Sequence, residues 1–183
     1  MAAAVQSPLN FLIHEIASTF HARLWYAGII LCLTVPDICS ASELDQSDEK
    51  FWRGQARYEK WCERYLMKHL AALTPADIWA LRGGVIHRGQ TFGHPKNRFE
   101  RVVFILPDGS GNTFNGIRTV VHDSEQPVHS LDIHTFGNAF FAAAAEWIED
   151  VKDNESVRAN LRGLIRVRRE GYENHLVGMP VIA

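Results

Sequence analysis

The chain has 183 residues, 46% of them hydrophobic and 22% charged, with a formal net charge of −2 and a sequence pI near 6.5. That is ordinary globular composition, enough to bury a core as one domain, and it weighs against the all-over basic surface that coats duplex nucleic acid. Cys32, Cys39 and Cys62 are an odd set without metal-site spacing, which suits a reducing, cytoplasmic setting better than a disulfide framework.

No charged stretch precedes an apolar core at the N-terminus, so no secretory signal is expected. Ser7-Pro8 is a cap followed by a proline suited to a first helical turn, and Leu9, Leu12, Ile13, Ile16, Phe20 and Leu24 recur at helical spacing. The pattern predicts one long helix running into the most apolar stretch, Leu24 to Val35. That stretch is too short for the ~20 residues that span a bilayer, so no membrane association is expected. Pro36 is expected to kink or end the helix, with a linker around Ser40 to Asp48. His14 and His21 share a face but lie two turns apart, too far for one ion.

Phe51 to Leu70 reads as a second helix. Arg53, Arg57, Lys60 and Arg64 fall within a sector of roughly 60°, opposite an aromatic side of Phe51, Tyr58, Trp61 and Tyr65. This basic stripe is a candidate rail for phosphates, diluted by Glu59 and Glu63. Thr74-Pro75 with Asp77 then starts a third helix, capped by the threonine and favoured by an anion in its first turn. Its chemical content is Arg82-Gly83-Gly84-Val85-Ile86-His87. On a regular helix five residues rotate by roughly 140°, so Arg82 and His87 meet only if the glycine pair bends the backbone or the arginine reaches.

His87 to Asn97 reads as a loop. Arg98 to Leu106, the turn signal from Pro107 to Asn112, and Thr113 to Val121 predict a β-hairpin inserted at about 98–121. His122, His129 and His134, with Asp123 and Asp132, have spacings that match no strong ligand pattern; no metal and no cofactor are expected, and a metal or small-molecule site there is the weakest reading. Asp132 can cap a further helix with Phe136, Phe140, Phe141, Ala144, Trp147, Ile148 and Val151 on its apolar face. Asn154-Glu155 starts a shorter one on which Arg158, Arg162, Arg166 and Arg169 line a second candidate RNA rail. Residues from about 171 to 183 read as a tail whose apolar end, Met179 to Ile182, packs on the bundle or on a partner.

Trp25 to Ile38, then Arg57-Tyr58 with Trp61-Cys62-Glu63-Arg64-Tyr65-Leu66, then Leu81-Arg82-x4-His87-Arg88-Gly89, together resemble a bacterial protein of the HEPN superfamily. The resemblance implies a single, mainly α, HEPN-like helical bundle over 1–183, carrying the β-hairpin as an insertion. It further implies a homodimer with the two Arg-x4-His motifs facing each other, and metal-independent endoribonuclease activity in a toxin or phage-defence role. An antitoxin or regulatory protein is then an expected partner class beside RNA or nucleotide. His87 would be the acid/base and Arg82 the phosphate clamp, types suited to moving a proton at a ribose hydroxyl and holding a phosphate bidentately. Gly83 departs from the pattern, because active members often carry Asn, Asp or His there. The alternative is therefore a non-catalytic module that binds nucleotide, RNA or a protein partner.

Overall fold

In the computed structural model, the residues described are 8–45, 54–91, 99–107, 117–120, 128–172 and 175–183. The protein is mainly helical with a few short strands. In order these are α1 (Pro8–His21), α2 (Trp25–Ser42), α3 (Gly54–Trp61, running on as a π-helical segment Cys62–Leu66), α4 (Pro75–Arg88), β1 (Arg101–Ile105), β2 (Ile117–Val120), β3 (Val128–Asp132), α5 (Ile133–Val151), α6 (Glu155–Arg162), and the two-residue strands β4 (Val167–Arg168), β5 (Gly171–Tyr172), β6 (Leu176–Val177) and β7 (Val181–Ile182).

The expected single N-terminal helix is two. Leu24 N–H bonds Thr19 O at 2.8 Å and Arg23 N–H bonds Phe20 O at 3.1 Å, while Arg23 takes a φ of 57°. That is the Schellman turn, which normally recruits glycine at the left-handed position. Past the turn, Phe20 wedges between helices. A β-carbon on Gly28 of α2 would lie 2.9 Å from the Phe20 ring, and one on Gly137 of α5 would lie 3.0 Å from it. The two glycines are what allow three helices to converge on one aromatic side chain.

α2 is the central element and packs on α1, α3, α4, α5 and α6. Among the described helices it is the one with the length and apolarity of a membrane span, and half of it is buried inside the bundle. Pro36 does not end it. The helix continues to Ser42, with the Ser40 hydroxyl donating to Pro36 O at 2.6 Å, so the expected linker starts later than Ser40. Proline disrupts a helix by losing one N–H and crowding the preceding turn, and burial against five neighbouring helices outweighs that local cost here.

α3 supplies Tyr58 and Trp61 to the core. Beyond it the backbone widens to a π turn, so the expected continuous helix to Leu70 stops at Leu66 and gives way to turns. α4 begins as expected: the Thr74 hydroxyl accepts from Asp77 N–H, and Asp77 Oδ2 accepts from Thr74 N–H at 2.8 Å, a reciprocal cap. It runs unbroken through Gly83 and Gly84 and ends at Gly89, whose φ of 65° closes the last turn.

The inserted hairpin is not what forms. β1 and β2 do not pair with each other; both pair with β3, β1 in parallel and β2 antiparallel, in the order β1-β3-β2. β3 lies in the stretch read from its histidines as a metal candidate. His129 and Leu131 alternate inward, and Asp132, its last residue, caps α5 by accepting from Thr135 N–H at 2.6 Å. The sheet leans on α5 through Phe104 and Phe136, whose rings are 5.0 Å apart. α5 sends Phe136, Phe140, Ala143, Ala144 and Trp147 into the core.

The C-terminal segment is no loose tail. β4 pairs with β7 and β5 with β6, and Arg166 and Ala183 exchange both backbone hydrogen bonds at 3.0 Å. Its apolar end stays exposed: Met179 at 55% and Ile182 at 70%.

Candidate functional site

Arg82 and His87 come together on α4 without any bend at the glycines. Arg82 Nη1 lies 3.3 Å from His87 Nε2, so the reach of the arginine closes the gap that helical rotation opens. When the guanidinium donates here, Nε2 is the unprotonated ring nitrogen and the ring proton sits on Nδ1. The arginine is held from two further sides. Its Nε donates to Asp37 Oδ2 of α2 at 2.9 Å, and its guanidinium carbon stands 5.0 Å from the centre of the Trp79 ring, one turn earlier on α4.

Asp37 and Trp79 were missed by sequence reasoning. Asp37 follows Pro36, which reads as a helix end, so nothing assigned it a face; with α2 continuous, the carboxylate is carried against α4. Its charge is felt inside the bundle. Burial, then Asp37 and Glu59, push the Cys62 thiol up. Burial first, then neighbouring Cys62 and Asp37, do the same to the Tyr58 hydroxyl, with Arg82 opposing. Arg82 is thus the counter-ion of a carboxylate packed among groups that resist ionising, and the side chains of both are about a fifth exposed, 22% and 21%. His87 is exposed to solvent.

Arg57 belongs to this neighbourhood. Its Nε donates to Ser40 Oγ at 3.2 Å, one turn along α2 from Asp37, and its guanidinium lies near Gly54, which faces Trp79. The rest of the first stripe does not follow it. Lys60 is exposed on α3, and Arg64, inside the π-helical segment, points instead to α5, bonding Asp150 Oδ2 at 2.9 Å among Lys68, Glu146 and Glu149. The wider turn changes the rotation per residue, so one predicted rail becomes two unrelated positions. Arg53 lies outside the described residues.

The second rail is also divided. Arg158 and Arg162 are on α6, but the helix stops at Gly163, and Arg166 pairs its backbone with Ala183. Asn160, two residues from each arginine and so about 160° around the helix, binds Ser42 O and Leu44 O of α2, both at 3.0 Å. The arginines therefore face away from α2 and from Asp37. A hollow of about 300 Å³ adjoins Asp37 on the α6 side, lined by Asp37, Ile38, Ser42, Asn160, Gly163 and Leu164.

The histidines of the weakest reading go separate ways. His129 is buried with its ring 5.8 Å from Phe99, His134 lies on α5 with its ring edge-on to Trp25 at 5.6 Å, and His122 and Asp123 lie outside the described residues. Among the described residues no three His, Cys, Asp or Glu side chains are grouped as metal ligands. The three cysteines are free and buried. Tyr26, at the other end of α2, leans over the end of α4, its hydroxyl donating to Val85 O at 3.4 Å beside Gly89. No family model, curated protein or solved structure matches the chain.

Proposed function

We propose that this protein is a metal-independent endoribonuclease of HEPN type, acting in the cytoplasm through Arg82 and His87. The observation that carries the reading is the contact between Arg82 Nη1 and His87 Nε2 at 3.3 Å, on a helix that also holds Arg82 against Asp37. A cationic fork and a titratable ring are within reach of one phosphodiester.

In the proposed reaction Arg82 Nη1 turns from His87 Nε2 to the phosphate, and that freed, unprotonated nitrogen takes the proton from a ribose 2′-OH. The freed oxygen attacks the adjacent phosphorus, the bond to the 5′-oxygen breaks, and that oxygen takes a proton from a second, protonated imidazole. The products are a 2′,3′-cyclic phosphate and a 5′-hydroxyl. Arg82 neutralises the charge that gathers on the non-bridging oxygens. One chain supplies one such histidine, so the reading includes a homodimer in which the second His87 comes from the partner. Asp37 orients the guanidinium from α2, the service that Gly83, beside Arg82 in sequence, has no side chain to perform. Arg57, bonded to Ser40 one turn from Asp37, and the exposed Arg88, next to His87 in sequence, meet the flanking phosphates in this reading.

The test is cleavage of a mixed-sequence RNA by purified protein with and without EDTA, with end-group analysis of the products. Positioned acid–base groups contribute about 10²–10⁴-fold, so His87→Ala and Arg82→Ala should each remove cleavage by at least about a hundredfold, with EDTA inert. Cleavage untouched by either substitution refutes the assignment, and cleavage abolished by EDTA makes the protein a metal nuclease. A strict monomer by light scattering at micromolar concentration removes the composite site. Gly83, with nothing within 4 Å of where its β-carbon would be, favours a second reading. In it the same Arg82 and Asp37 form a non-catalytic module that binds RNA, nucleotide or a regulatory protein, and the mark of that outcome is RNA retention lost in Arg82→Ala with no cleavage by the wild type.

A further inference from the structure

A second concavity lies away from Arg82, between the start of α1, the end of α5 and the outer face of α6. It holds about 390 Å³ and is lined by Pro8, Ile148, Val151 and Leu161 below, with Lys152, Arg158 and Arg162 around it and Asn10 at its edge. Its floor is aliphatic and its rim cationic. The Lys152 ammonium is engaged by Glu149, with Asp153 also close to it. Arg158 and Arg162 have no ion pair among the described residues. They stand four residues apart on one helix face, about 6 Å along the axis, where like charges repel and one shared anion would relieve both.

We propose that this groove binds a free medium-chain alkyl anion, its tail on Ile148, Val151 and Leu161 and its carboxylate or phosphate head between Arg158 and Arg162. The three features that select this class are size, floor and charge. At about 30 Å³ for each methylene-sized group, 390 Å³ holds roughly a dozen, which is a chain of about ten carbons and its head. A nucleic-acid strand is a poorer occupant, because its bases stack on aromatic rings and the groove is lined by none. A bare inorganic anion would leave the aliphatic floor wet. Two guanidinium forks can grip one head in the bidentate manner that a lone lysine cannot. The assignment is independent of the chemistry proposed at His87.

The experiment is isothermal titration of the full chain with sodium decanoate below its micellar concentration, alongside hexanoate, octanoate, acetate, decyltrimethylammonium and a short oligoribonucleotide. One decanoate should bind per chain, with affinity rising about threefold to fourfold per added CH₂ from hexanoate upward, and acetate and the cationic amphiphile should give no heat. Arg158→Gln with Arg162→Gln should weaken decanoate by about tenfold or more while leaving the far-ultraviolet circular dichroism unchanged. The chain-length series needs no variant and stands if the double variant fails to fold. Equal binding of decanoate and acetate, no decanoate binding, or a folded double variant with undiminished affinity overturns the proposal. So does binding confined to vesicles of anionic phospholipid, which makes the face a membrane contact, or to the oligoribonucleotide, which returns the arginines to an RNA rail.

Discussion

Replacing Asp37 by Asn keeps the shape of the side chain and removes its charge, which isolates the ion pair that holds Arg82. The pair is a charge-assisted hydrogen bond at 2.9 Å between side chains about a fifth exposed, 22% and 21%. Such bonds contribute roughly 1.5–3 kcal/mol when well sheltered, and residual solvent screening moves this one to the lower end, about 1.5 kcal/mol. A destabilisation near 1–1.5 kcal/mol corresponds to a fall in Tm of about 2–6 °C for a chain of this length. The assay is urea unfolding of wild type, Asp37→Asn, Arg82→Gln and the double variant. A coupling energy of about 1 kcal/mol or more is expected, since each single change orphans the other partner. Additivity within about 0.3 kcal/mol would refute the reasoning, because it would mean that the two groups do not feel each other.

Three further outcomes follow from local geometry. Gly83→Ala should stabilise by about 0.5–1 kcal/mol in the same assay, since a β-carbon there meets nothing within 4 Å and alanine suits a helix interior; a lower midpoint would show that α4 is not continuous. Gly28→Ala should cost about 1–3 kcal/mol, because its β-carbon would lie 2.9 Å from the Phe20 ring and from Thr19 Oγ1; an unchanged midpoint would mean that the three-helix junction yields easily. The Cys32, Cys39 and Cys62 thiols, pushed well up by burial, should resist a thiol reagent at pH 8 until the chain is unfolded. Their folded values exceed the unfolded ones, so the stability they confer is whole below about pH 8.5 and is lost as pH rises further, at up to about 1.4 kcal/mol per thiol per pH unit. A Tm flat from pH 8 to 10.5 would contradict this.

Much of the helical skeleton was legible because its signals are local. Thr74, Pro75 and Asp77 carry their own cap, Asp132 and Asn154 carry theirs, and the spacing of Leu9, Ile16 and Phe20 names the buried face of α1. The arginine and histidine of α4 could be singled out by type, and their meeting depended only on side-chain reach along one helix. What escaped was whatever required distant partners. Arg23 in the left-handed region carries no glycine to announce the turn. Pro36 reads as a stop until five packed neighbours make continuation cheaper than ending. β3 looks like histidines and aspartates in a loop until β1 and β2 are on either side of it to share its hydrogen bonds.

The site divides along the same line. Sequence alone determined that α4 exists and where it starts, and it singled out Arg82 and His87 by type; that the helix runs on through His87, which reads as the start of a loop, to Arg88 came from the structure. Only the tertiary structure decided that Asp37 faces Arg82, that Arg57 sits near them while Arg64 does not, and that Arg158 and Arg162 rim a different groove. Caps and periodicity act within a turn or two of backbone. The pairing of a carboxylate with a guanidinium 45 positions away depends on how whole helices pack, which no local pattern of residues encodes.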